Sequence, residues 1–162
     1  MKRIKNVAVF LSLIICSHLA VGQDSLLLYN RIKERTEKNE PTWTLERRAI
    51  FENYLVLRWG AEQKRVLAYI TTAPTDELAV KLFNESFTEL NRGTWAKKQR
   101  TELKDFGNQN SLWAETKQQP QACLLLRQEK TVIQVFAPTI DLAKRFATDI
   151  REEIIKMKAT PA

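Results

Sequence analysis

Ala73-Pro74-Thr75-Asp76-Glu77-Leu78-Ala79 returns as Ala137-Pro138-Thr139-Ile140-Asp141-Leu142-Ala143, with five of seven positions identical. Each copy follows an apolar run and opens an amphipathic one. Proline cannot donate to a strand ladder, so it closes the strand before it. The threonine hydroxyl is placed to accept from the first free NH groups of a helix. The acids that follow sit where the positive end of the helix dipole favours them. Both copies therefore mark a junction from strand to helix.

The likeness continues upstream. Tyr54-Leu55-Val56-Leu57-Arg58 parallels Cys123-Leu124-Leu125-Leu126-Arg127, and each is followed by a polar turn and a second apolar run, Val66 to Thr72 and Thr131 to Phe136. Each unit reads strand, turn, strand, helix. Downstream, Leu78, Ala79, Leu82, Phe83, Phe87 and Leu90 recur at helical spacing, as do Leu142, Ala143, Phe146, Ala147, Ile150, Ile154 and Met157. An isolated hairpin is marginal in water, so the economical arrangement joins both hairpins in one antiparallel sheet and lays the helices on it. The expected fold is α+β: an N-terminal helix, then two ββα units forming an antiparallel sheet with the helices packed on one face. The spans 54–90 and 123–157 read as an internal repeat joined by a basic linker, 91–104.

Ahead of the first unit, Asp24 or Ser25 can cap a helix running to about Lys38, with Leu28, Tyr29 and Ile32 inward and Pro41 just beyond its end. Trp43 to Phe51 alternates well enough for an edge strand. The stretch from Gly107 to Gln121, with Asn108, Gln109, Asn110 and Pro120, reads as a loop around a short strand at Leu112-Trp113.

Residues 1–22 read as a secretory leader: Lys2, Arg3 and Lys5, an apolar run from Val7 to Cys16, and Ala20-Val21-Gly22 at the cleavage site. The run is about half the length a bilayer span needs. Cleavage near Gly22 would export a single α+β domain, 23–162, to the periplasm or the extracellular space, with no transmembrane span in the mature chain. A lipoprotein acylated at Cys16 is the competing reading, disfavoured by the branched Ile14 and Ile15 before the cysteine.

Loss of the leader removes His18, the one histidine of the chain, and leaves Cys123 as the single thiol. Histidine-dependent triads, ordinary imidazole zinc sites and an internal disulfide go with them. Cys123, beside three leucines, reads as a buried strand residue. Gly60, Gly93 and Gly107 are too scattered to cradle a phosphate, and no cofactor or metal is expected. Asp105-Phe106-Gly107 spells a kinase triplet without the glycine loop or catalytic loop that would give it meaning. Asn84-Glu85-Ser86 matches a glycosylation acceptor inside the first amphipathic helix.

Charge is the remaining lead. Without the leader's three cations the formal net charge falls from +7 to +4, and segment 91–104 accounts for that excess. It carries Arg92, Lys97, Lys98, Arg100 and Lys104 against Glu102 alone, with Trp95 among them. These six residues, Arg92, Trp95, Lys97, Lys98, Arg100 and Lys104, are the candidate patch for an anionic surface. Cations hold phosphate or carboxylate, and the tryptophan can stack on a ring or sit at a membrane interface. The expected partners are an envelope protein, an anionic polymer or lipid head groups. Nucleic acid is disfavoured by the export address and by the lack of a reader motif.

Two other functions fit the composition. A carboxylate-based envelope hydrolase would draw on Asp76-Glu77, Glu85/Glu89 or Glu152-Glu153, with two carboxyls facing one cleft from separate elements. A structural or assembly subunit would use an open sheet face or edge strand.

Overall fold

Alternating runs on either side of the two capping phrases pair into one sheet in a computed structural model that describes residues 23–93, 95–114 and 121–159. The expected leader, with its expected cleavage site and Cys16, lies outside the described residues. The chain opens with α1 (23–39). Then follow β1 (Thr44–Ile50), β2 (Tyr54–Ala61), β3 (Lys64–Thr72) and α2 (Asp76–Arg92). The second half holds β4 (Gln99–Thr101), β5 (Gln109–Ala114), β6 (Ala122–Gln128), β7 (Thr131–Ala137) and α3 (Ile140–Ala159). All neighbours are antiparallel in the order β1-β2-β3-β7-β6-β5-β4. The two hairpins meet at the central pair, β3 with β7, as the economical arrangement requires.

Both capping phrases act as their residues dictate. Leu78 N donates to Thr75 Oγ1 at 3.3 Å, and Leu142 N donates to Thr139 Oγ1 at 3.2 Å. The edge strand expected at 43–51 is β1, kept at the margin by its charges and by a bulge between Leu45 and Arg47.

The helices do not share one face, which corrects that part of the sequence reading. α1 and α3 pack on one side, over Leu55, Leu57, Trp59, Ile70, Leu124, Leu126, Ile133 and Val135. α2 packs on the other, over Trp113, Cys123, Leu125 and Val132. The reason is strand parity. Side chains alternate faces along a strand. Ala137 falls two residues after Val135, on the α3 side, whereas Ala73 falls three after Ile70 and so turns the other way. The same phrase launches its helix to opposite sides because it begins one residue out of step. β6, buried on both faces from Ala122 to Leu126, is the strand that this sandwich requires.

Two further stretches differ from expectation. β4 rises inside the basic linker, and β5 is longer than the two residues foreseen. The polar residues that suggested a loop instead fasten it. Asn110 Oδ1 accepts from Leu103 N at 2.7 Å, while Asn110 Nδ2 donates to the Leu103 and Phe106 carbonyls at 2.9 and 2.8 Å. Gly107 turns between them at φ +78°, with Arg127 O where a Cβ would go. Leu78, expected inward, is exposed at the outer side of α2.

α1 is held by charge as well as by Leu28, Tyr29 and Ile32. Arg35 Nε donates to Asp149 Oδ1 at 2.8 Å and its Nη1 to Glu153 Oε1 at 3.2 Å, and its Nη2 reaches Glu152. Asn39 donates to the same Asp149 oxygen at 2.7 Å. Asp149 and Glu153 are both buried.

Candidate functional site

The α2-bearing face of the sheet has two unlike halves. Over β5, β6 and β7, α2 lays Phe83, Phe87 and Leu90 on Trp113, Cys123 and Leu125; Phe87 and Trp113 lie 5.6 Å apart. The Trp113 indole donates to Asn91 Oδ1 at 3.3 Å, so the buried ring is satisfied. Over β1, β2 and β3, no element among the described residues covers the sheet. Tyr54, Val56, Leu67 and Tyr69 stand there half-buried, pointing away from the core that Leu55, Leu57, Val66 and Ala68 form beneath.

Aromatic rings cross this open half in a row. Phe51 stacks on Tyr54 at 6.0 Å and Tyr54 on Tyr69 at 6.2 Å. Tyr69 meets Phe136 edge-on at 6.1 Å, and Phe136 leads to Trp95 at 5.8 Å. Burial pushes the Tyr54 phenol up, with a smaller push from Tyr69. Arginines border the row. The bulge in β1 turns Glu46 over Gly60, where its carboxylate takes Arg65 at 2.9 Å and Arg58 at 3.2 Å. Arg47 beside it is exposed.

The six candidate residues of the basic linker fall into two groups. Trp95, Lys98 and Arg100 join this face: Lys98 Nζ lies 4.6 Å from the Trp95 ring centre, and the Arg100 guanidinium 5.1 Å from that of Phe87. Arg92, Lys97 and Lys104 are exposed. Trp95 forms part of the wall of an open depression of about 490 Å³ with Lys64, Arg65, Leu67, Gln121 and Phe136. Trp43, Trp59 and Trp113 are buried in the core, which leaves Trp95 as the tryptophan that reaches solvent among the described residues.

The acids that a hydrolase would use are placed otherwise. Glu77, Glu85 and Glu89 line a shallow depression of about 560 Å³ furnished by α2 alone, so they do not face one another from separate elements. Hydrogen bonds from its own backbone NH and from Thr75 hold Glu77 below the usual carboxylate range. Glu152 and Glu153 are engaged by Arg35. Burial raises the Glu153 carboxyl, but Lys156 and Arg35 together outweigh it and leave it lowered. Among the described residues no three His, Cys, Asp or Glu side chains are grouped to hold a metal ion. Cys123 is buried, and burial lifts its thiol to about 12 against a weaker opposing hydrogen bond from Gln134. No described helix is long and apolar enough to cross a membrane.

Sequence reasoning named Trp95 and the linker cations but not Tyr54, Val56, Leu67, Tyr69 or the Glu46–Arg58–Arg65 bridge. A signal was present. Runs apolar at every position, such as Tyr54 to Leu57 and Val66 to Ile70, imply cover on both faces. Comparison of the chain with protein-family models, with curated proteins and with solved structures finds no match.

Proposed function

We propose that this protein is an exported binding or accessory domain that holds an anionic surface or an envelope partner on its α2-bearing face. The observation that carries the reading is Trp95, which reaches solvent at a depression shared with Lys64 and Arg65, with the Lys98 ammonium over its ring. Lys64 and Arg65 at the same depression supply charge for a carboxylate or phosphate beside the ring, and a cation over an aromatic face is worth more once water is displaced. The patch lies on a stem of secondary structure, since β4 pairs with β5 directly after it.

The ionic share of such binding weakens with salt because counterions return to the ligand. The test is retention on heparin and on vesicles containing anionic lipid, in low and moderate salt, for the native protein and for Lys97→Glu/Lys98→Glu/Arg100→Glu. Retention that falls with salt and is lost in the variant supports the reading. Retention that survives the charge reversal, or none at low salt, overturns it. Export itself is tested by the N-terminal sequence of protein recovered from outside the cytoplasm, which the leader predicts to begin near Gln23.

A further inference from the structure

The side of the sheet that carries α1 and α3 is roofed by two helices, and the opposite side has α2 over β5–β7 only. We propose that β1, β2 and β3 on that side dock one acidic, amphipathic helix of a partner protein, lying beside α2. The inference rests on the binding role proposed above and names the occupant of the adjoining strands.

Shape restricts the occupant first. A helix packed on a sheet stands about 10 Å above it, so α2 walls one side of the open half. Three strands span roughly 14 Å, and a helix with its side chains is about 10–12 Å across. Packed helices lie about 8–10 Å apart, which sets a neighbour of α2 two strands over from β6, on β3. One helix fills this step.

A flat bilayer does not reach it, because α2 projects first and meets the lipid with a mixed surface of Glu77, Glu85 and Glu89 with Lys81 and Arg92. A glycan platform needs ring faces turned outward. Here Phe51, Tyr54 and Tyr69 are stacked at 23° and 18° with their faces against one another.

Charge then restricts the occupant's chemistry. Arg47, Arg58 and Arg65 border the step, and Glu46 bridges the last two, so this cluster is net positive and disfavours a second copy of itself and the basic leader of another chain. A partner helix with an apolar stripe flanked by carboxylates satisfies both demands: leucine-sized groups meet Val56, Leu67 and Tyr69, and the flanking acids meet the arginines. Charge-assisted pairs at an apolar centre also fix orientation.

A photo-crosslinking amino acid at Val56, in intact cells, reads the occupant directly. The expected adduct is a partner segment, net acidic, with apolar residues at i, i+3 or i+4, and i+7. An adduct with this same chain, with lipid or glycan, or with a basic or non-periodic segment overturns the proposal, and so does the absence of any adduct. In vitro, the probe is a synthetic helix of about 18 residues, long enough to span the strands, bearing a leucine stripe flanked by glutamates. Its binding should weaken at least tenfold in Arg47→Glu and when its own glutamates become lysines. Equal binding of both peptides refutes the charge argument without any protein variant. The two readings separate cleanly: Lys97→Glu/Lys98→Glu/Arg100→Glu abolishes heparin retention and leaves peptide binding intact if both hold. Heparin retention that survives this triple variant fails the first reading, and equal binding of the glutamate and lysine peptides fails the second.

Discussion

Removing Arg35 should weaken the domain more than any exposed-charge substitution, and the structure gives the size of the effect. The guanidinium enters a site where the Asp149 and Glu153 side chains are 6% and 9% exposed, at 2.8 and 3.2 Å, while the third acid, Glu152, is 42% exposed. Glu152 contributes little for that reason. The other two would stay behind as buried carboxylates, with Asn39 and Lys156 as their remaining partners. Breaking a buried pair by deleting one partner costs about 3–5 kcal/mol. Against a whole-domain stability of about 5–15 kcal/mol, Arg35→Ala takes roughly a fifth at the least and most of it at the lower end. With a urea slope of about 2 kcal/mol per M, the midpoint falls by roughly 2 M.

The pH dependence has a definite sign. The native Glu153 carboxyl is held below its ordinary value, so its contribution is complete above the unfolded carboxyl range of about 4.3 and is lost as pH falls through the lower folded value. Arg35→Ala removes one of the groups that hold it down. The stability gap between native and variant protein should therefore be widest at pH 7 and close as the solution is acidified. Urea titrations at pH 7, 5 and 3 measure it. The triple variant Arg35→Met/Asp149→Leu/Glu153→Met, which replaces the whole cluster by apolar groups, should recover most of the loss, since the penalty lies in the unpaired charge. A loss under about 1 kcal/mol at pH 7, or a gap independent of pH, refutes this account of how α1 is held.

Three further outcomes follow from local geometry. Thr139→Ala and Thr75→Ala each remove a cap hydroxyl and should each lower stability by about 1 kcal/mol, seen as a drop of a few degrees in Tm. Gly107→Ala meets both a positive φ and the Arg127 carbonyl at 2.7 Å and should cost about 1–3 kcal/mol, more than Gly93→Ala, whose added Cβ sits 3.3 Å from Glu89 O; equal urea midpoints for the two would contradict the turn geometry. Cys123, with its thiol near 12 and no exposure, should react with a thiol reagent at pH 8 only as fast as the sheet opens, and rapid labelling of native protein would count against its placement.

Most of the architecture was legible because its signals are local. Pro74 and Pro138 end strands, Thr75 and Thr139 begin helices, and the apolar spacing of α2 and α3 reports their buried stripes, all without reference to distant residues. The face each helix takes was not legible in the same way. It depends on whether the count from the last core residue of the strand to the proline is odd or even, and a likeness between Ala73 and Ala137 conceals that difference. The linker was read correctly for composition and incompletely for structure. Arg92, Lys97, Arg100 and Lys104 are as exposed as their charge suggests, while Lys98 and Arg100 also lie over rings that only the tertiary fold brings to them.

The open half of the sheet is the part for which parity has the largest consequence. Had Ala73 fallen in step with Ala137, α2 would have turned to the side that α1 and α3 already roof, and the second faces of β5–β7 and β1–β3 would both be bare. Turning the other way, α2 buries Trp113, Cys123 and Leu125 but does not extend across β3 to β1. On the proposed reading, Tyr54, Val56, Leu67 and Tyr69 are apolar because a partner covers them, since no described element does. Solvated sheet faces ordinarily alternate apolar with polar residues, and a contiguous uncovered apolar strip marks a contact surface. The stacked tyrosines and the Glu46 bridge limit the exposure of that strip while leaving it open from above. That combination, apolar content maintained under a loose polar border, is what a surface built to be covered by another molecule requires.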